Sequence, residues 1–210
     1  MTKENKITAG AGRDKDRMGR LADFLFEVGM LRKTPRTGYH FLGTGSENVA
    51  EHSFRTAVIG FVLADMAGAD AERTVMLCLF HDLHEARTGD FNYVHRMYNT
   101  SERTRALEDC ARGTGLTDKL LGWWKELEHV DTPEAQLAQD ADQIDLILNL
   151  KEQWDLGNAY AKKWLDGALP RLRTDEGKAL AERIMTTDHT DWWYVGPDRS
   201  WWENKNGHND

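Results

Sequence analysis

An all-α bundle is the fold class this sequence predicts, and three observations carry that expectation. Apolar residues recur at helical spacing in segment after segment, capping residues stand at the head of several of those segments, and no run alternates apolar and polar residues as a half-buried strand would. With 210 residues and 40% hydrophobic content the chain can bury one substantial core, and no Pro/Gly/Ser-rich linker divides it. The expected organisation is a polar, aperiodic and at least partly disordered start over residues 1–13, one domain over 14–190, and a Trp-rich tail over 191–210.

Each element follows from its own pattern. Met18, Leu21, Ala22, Leu25, Val28 and Gly29 mark a first amphipathic helix over 16–31, ended by Thr34-Pro35. Residues 36–47 are rich in glycine and turn formers and long for a connector, the kind of loop that often carries function. Asn48 reads as an N-cap, with Glu51 three residues on as a variant capping box. The helix it opens should bury Val49, Ala50, Ala57, Val58, Phe61, Val62 and Met66. After Gly68-Ala69-Asp70 a central helix is expected over 71–88, apolar nearly all round in its middle, followed by a connecting loop over 90–100. Helices over 101–112, 116–129, 133–156, 160–169 and 175–185 complete the bundle, the third of them opened by Thr132-Pro133. Trp192-Trp193-Tyr194 and Trp201-Trp202 are too hydrophobic to hang free and are expected to pack on the body or on a neighbouring subunit.

Composition excludes several classes. A formal net charge of −8 argues against a surface built to hold a nucleic-acid polymer or an anionic membrane. No apolar segment approaches the roughly 20 residues that span a bilayer, and the polar start lacks a signal-peptide core, so a soluble, cytoplasmic protein is expected. The two cysteines, Cys78 and Cys110, form neither a disulfide framework nor a CxxC pair and read as ordinary thiols.

The string from His81 to Asp90 places a cluster of ionisable groups directly after the apolar run that ends at Phe80. Such groups cost several kcal/mol each in an apolar interior unless they are paired, hydrogen-bonded or metal-bound. A divalent cation is the simplest compensation for His81 and Asp82. Glu85 lies one helical turn beyond His81, and Gly89 ends the helix so that Asp90 can turn back. His52 alone would more often be a core histidine than a ligand. Asp140 and Asp145 read as solvated or salt-bridged residues, and His84 as a surface or supporting one. His40, His129, His189 and His208 are given no catalytic role.

Three clusters on three expected helices, Glu51-His52-Ser53, His81-Asp82 and Gln139-Asp140-Ala141-Asp142-Gln143, stand in the order of the HD-domain metal-dependent phosphohydrolases, which the chain resembles. Pro35-Arg36-Thr37-Gly38, the run from Glu47 to Ser53, and the HD-x-x-E-x-x-x-G-D string are similar to the 5'-deoxynucleotidase branch. The resemblance implies an all-helical HD domain in which His52, His81, Asp82 and Asp142 bind one divalent transition metal ion. Two imidazoles and two carboxylates suit Mn, Co, Fe, Ni or Zn better than Mg or Ca. It further implies that Glu85 orients or deprotonates the attacking water, that Asp90 meets water or the sugar, that Arg36 holds the phosphate, and that Tyr39 lies near the sugar. The implied substrate is a small phosphate ester, a deoxyribonucleoside 5'-monophosphate, with a second copy of the chain as candidate partner. Two other readings stay open at this point. One is an HD-type di-iron oxygenase, for which His84 and His95 are the only extra ligands on offer; the other is a non-catalytic scaffold that binds nucleotide.

Overall fold

The computed structural model describes residues 16–194, so the stretch 1–13, Trp201-Trp202 and His208 lie outside the described residues. Among the described residues no strand forms beyond one isolated bridge between Pro35 and Asn48. No helix among them is long and apolar enough to cross a membrane. The all-α expectation therefore holds.

Helix α1 (Arg17–Val28) is capped by Asp16, whose carboxylate accepts from the Gly19 amide at 2.8 Å, and it tightens into a 3-10 turn over Gly29–Lys33. The glycine-rich loop that follows contains a one-turn helix, α2 (Tyr39–Leu42). Helix α3 (Val49–Ala67) starts in a complete capping box, with Asn48 and Glu51 each accepting the other's backbone N–H. Next come α4 (Ala71–Phe80), α5 (Glu85–Thr88), α6 (Tyr93–Tyr98), α7 (Arg103–Ala111) and α8 (Thr117–His129). Helix α9 (Pro133–Asp155), opened by Thr132, is followed by α10 (Ala159–Ala168), a 3-10 turn Leu169–Arg171, α11 (Asp175–Met185) and α12 (Asp191–Tyr194). The larger core packs α3, α4, α9, α10 and α11; a smaller one joins α1, α7 and α8 to Val49 and Leu83.

The structure corrects several expectations. The central helix does not run through to Thr88. It stops at Phe80, and residues 81–84 form tight turns in which the Leu83 amide donates to Phe80 and the Glu85 amide to Asp82. The loop over 90–100 contains α6, capped by Asn92. Helix α3 buries a different face from the one its apolar residues suggest: His52, Ser53, Thr56, Gly60 and Leu63 face inward with Val49 and Ala57, while Val58, Phe61, Val62 and Met66 are exposed. The reason is close packing against α4. A Cβ on Gly60 would lie 2.5 Å from the Cys78 sulfur, so small and polar residues occupy the contact and larger ones are turned out.

Asp140 and Asp145 are buried rather than solvated, and only Asp145 is salt-bridged. Asp140 instead accepts from the Arg173 and Thr174 amides at 2.9 and 2.8 Å and so anchors the entry to α11. His84 is buried too. Trp192 is 84% exposed and does not pack on the body. Both thiols are buried and unbridged, as expected, and burial pushes the Cys110 thiol up to about 12.

Candidate metal centre and cleft

Helices α3 and α9 and the turn after α4 bring the widely separated clusters together. His52, in the first turn of α3, is fully buried; its Nε2 lies 3.1 Å from His81 Nε2, 3.0 Å from Asp142 Oδ1 and 3.7 Å from Asp82 Oδ2. His81 Nε2 is 3.0 Å from Asp82 Oδ2 and 3.9 Å from Asp142 Oδ1. One ligand atom each from His52, His81 and Asp142 lies within 4.8 Å of the others, with Asp82 beside the two imidazoles.

The far nitrogens of both rings are engaged. His81 Nδ1–H donates to the Cys78 carbonyl at 2.6 Å, and His52 Nδ1–H donates to Asp145 Oδ2 at 2.7 Å. Asp145 is held in turn by Arg55, whose Nε is 2.5 Å from Oδ1 and whose Nη1 reaches Glu152 at 3.2 Å. With the outer nitrogens committed, the inner ones converge beside two carboxylates, an arrangement that calls for positive charge between them, a proton or a metal ion. The electrostatics express the same demand. Burial alone would depress His52, yet hydrogen bonds to Asp142 and Asp145 lift it to about 10. Burial would raise Asp82 and Asp142, yet the neighbouring imidazoles and Arg36 hold both below the usual carboxylate range. The donor set fits a divalent transition metal ion.

Around this centre stand the remaining residues singled out in the sequence. Glu85 opens α5, is 5% exposed, and its Oε2 has no hydrogen-bond partner among the described residues. Burial, with Asp82 and Asp90 nearby, holds its carboxyl well above the usual range. Gly89 has φ +72°, a left-handed value that turns the chain so that Asp90 Oδ2 accepts from the Thr37 amide at 2.6 Å and hydroxyl at 3.0 Å. Arg36 is surrounded by carboxylates: Asp82 at 3.4 Å, Glu47 at 3.8 Å, and Asp90 and Asp142 at 4.0 Å. Tyr39, on α2, is half-buried; burial and Glu47 push its hydroxyl up.

Two cavities flank Asp82 and Asp142. One, of about 320 Å³, is lined by Arg36, Tyr39, Glu85, Asp90, Phe91, Tyr93, Leu146 and Trp164 among others. The other, of about 610 Å³, lies on the side of His81, His84 and Trp124.

Sequence reading missed Arg55, Asp145, Thr37 and Trp164. Two were within reach, because Arg55 follows His52, and Asp145 follows Asp142, at the i,i+3 spacing that puts residues on one helix face. His84 and His95 do not join the cluster. The His84 ring packs edge-on against Trp124 with centroids 4.9 Å apart, and burial depresses it to about 4; His95 is exposed on α6. The di-iron reading thus loses the ligands it needed.

A helical domain that converges two imidazoles and two carboxylates beside a buried glutamate whose Oε2 has no hydrogen-bond partner among the described residues presents a candidate metal-binding site. Residues 28–182 match the family model for the HD domain, and the chain belongs to that family. Among curated relatives, human 5'-deoxynucleotidase HDDC2 is 31% identical over 142 residues, covering 65% of this chain and 69% of the relative. A conserved hypothetical protein from Pyrococcus furiosus superposes with a TM-score of 0.67 at 25% identity, covering 79% of this chain and 99% of that one. The HD phosphohydrolase DatZ of cyanophage S-2L, whose structure contains dA and one catalytic Zn²⁺ ion, shares the fold at 23% identity and a TM-score of 0.50, covering 77% and 96%.

Proposed function

We propose that the protein is a metal-dependent 5'-deoxynucleotidase that hydrolyses deoxyribonucleoside 5'-monophosphates to a nucleoside and phosphate. The observation that carries this reading is the convergence of His52, His81, Asp82 and Asp142 next to Glu85, in a cleft with an aromatic wall. The names of the relatives support the substrate class. The four converging residues would hold the ion, which when bound supplies Lewis acidity and acidifies a water.

Burial and the negative charge of Asp82 and Asp90 hold the Glu85 carboxyl up; with that charge offset by a bound cation, the carboxylate so restored would take a proton from the attacking water at Oε2. Water adds to phosphorus, the bond to O5' breaks, and O5' leaves as the nucleoside hydroxyl once it has taken up a proton. Arg36 stabilises charge on the equatorial oxygens from the floor of the cleft. Asp90, oriented by Thr37, meets the sugar together with Tyr39.

Selection lies in the sugar. A close wall beside the ribose would strand a 2'-hydroxyl without a partner, and an unpaired buried polar group costs about 1–3 kcal/mol. We expect kcat/KM for deoxyribonucleoside monophosphates to exceed that for matched ribonucleotides by about tenfold to a hundredfold, with little distinction among bases. Equal values across the pairs would reject the deoxynucleotidase assignment.

A cytoplasmic setting, a small-molecule rather than polymeric substrate, and a homodimer complete the proposal. The homodimer is supported by the stripe of Phe54, Val58, Phe61, Val62 and Met66 that α3 leaves exposed, a continuous apolar face of the kind that marks an association surface. In light scattering Phe61→Glu should give a monomer with unchanged helicity. A wild-type protein that stays monomeric at high concentration would count against the dimer.

A further inference from the structure

We infer that Arg96 and Arg171 hold the substrate phosphate from the rim of the cleft, opposite Arg36 at its floor; this rests on the phosphomonoesterase reading. Charge around the centre is the first ground. Arg36 faces four carboxylates at 3.4 to 4.0 Å, so its one positive charge is shared among its own neighbours before a phosphate arrives. Even with a divalent ion bound, a phosphate dianion entering the floor meets about as much negative charge as positive, and the chain's net charge of −8 adds a repelling background. Further positive charge has to come from elsewhere in the cleft.

Arg96 and Arg171 are placed to supply it. Both line both cavities, together with Asp82, Asp142 and Gln143, and both are exposed, so they share the cavity walls with two residues of the centre from its solvent side. Neither has an ion-pair partner within 4.0 Å among the described residues, in contrast to Arg36, Arg55, Arg73 and Arg87. Two cations that line the same cavities without a carboxylate partner leave positive charge there for an anion to meet.

Tyr93 sets the geometry. Arg171 ends the 3-10 turn after α10, donates from Nη1 to the Tyr93 hydroxyl, and lies over the Tyr93 ring with its central carbon 5.2 Å from the centroid. Arg96 is three residues beyond Tyr93 on α6 and so shares its face. One donor of Arg171 is spent on the tyrosine; the other four of the fork stay available for phosphate oxygens. Both residues are exposed, which lets them be replaced without disturbing the core.

The test uses the full chain loaded with metal and inorganic phosphate as the probe, by titration calorimetry at fixed ionic strength. The double variant Arg96→Gln/Arg171→Gln should weaken phosphate binding by at least about tenfold, the worth of one hydrogen bond to a charged group. Metal content by elemental analysis should be unchanged. With nucleotide, KM should rise by a similar factor while kcat changes much less. Unchanged phosphate affinity in the metal-loaded variant, or a wild-type protein that binds no phosphate, overturns the proposal. Weakened phosphate binding in a protein that hydrolyses no nucleotide upholds the phosphate site and rejects the nucleotidase reading alone. Nucleotide turnover with unaltered phosphate affinity does the reverse.

Discussion

Asp142→Ala is expected to leave purification with little of the wild-type metal and with phosphate release reduced by at least about a thousandfold, the several kcal/mol a Lewis-acidic ion contributes. Asp142 is the contribution of α9 to a centre otherwise built from α3 and the turn after α4, and its Oδ1 stands 3.0 Å from His52 Nε2. Removing it leaves two imidazoles and one carboxylate, a poorer set for a divalent ion. Stability gives a second readout. An ion that binds only the folded protein adds RT ln(1 + [L]/Kd), about 2.7 kcal/mol at a hundredfold excess over Kd. The wild-type melting temperature should therefore climb on adding Mn or Co, and that of the variant should not. Full metal content in Asp142→Ala would remove the residue from the proposed ligand set.

Glu85→Gln separates chemistry from binding. The substitution keeps size and shape at a buried position, yet an amide cannot accept the water proton. Metal content should match the wild type while kcat falls by about 100- to 10,000-fold, the range for a lost general acid or base. A rate near that of the wild type, with metal in place, would end the role proposed for Glu85.

Much of the candidate site was legible because the family motifs that the chain resembles fix residue types and their order so tightly. His52, His81, Asp82 and Asp142 come from three distant segments, and the ionisable groups after Phe80 are ones that an apolar helical context leaves without explanation. The capping box at Asn48 was legible for a similar reason, being a local exchange of hydrogen bonds between residues three apart. What escaped depends on distant partners. Burial of Asp140 is stabilised by amides 33 and 34 residues away, and burial of Asp145 by Arg55, 90 residues away. The buried face of α3 was misread because apolar residues occur almost all round that helix, so periodicity cannot choose a side. The side was chosen by the need for Gly60 to approach Cys78. The break after Phe80 carries no Gly or Pro signal; the His81 side chain takes the Cys78 carbonyl and the following turns tighten around it.

The chain from Arg55 through Asp145 to His52 fixes more than a ring position. By accepting a hydrogen bond from Nδ1–H, Asp145 selects one tautomer of His52, and Arg55 holds the Asp145 carboxylate in the position from which it accepts. Information that decides which nitrogen faces the reaction is thus stored in a half-exposed arginine three residues along α3. In the interpretation of natural variants, a change at Arg55 would look like the loss of a peripheral ion pair with Glu152, with every proposed metal ligand intact. Its consequence would be inherited by the imidazole, and such an allele belongs with lesions of the centre itself.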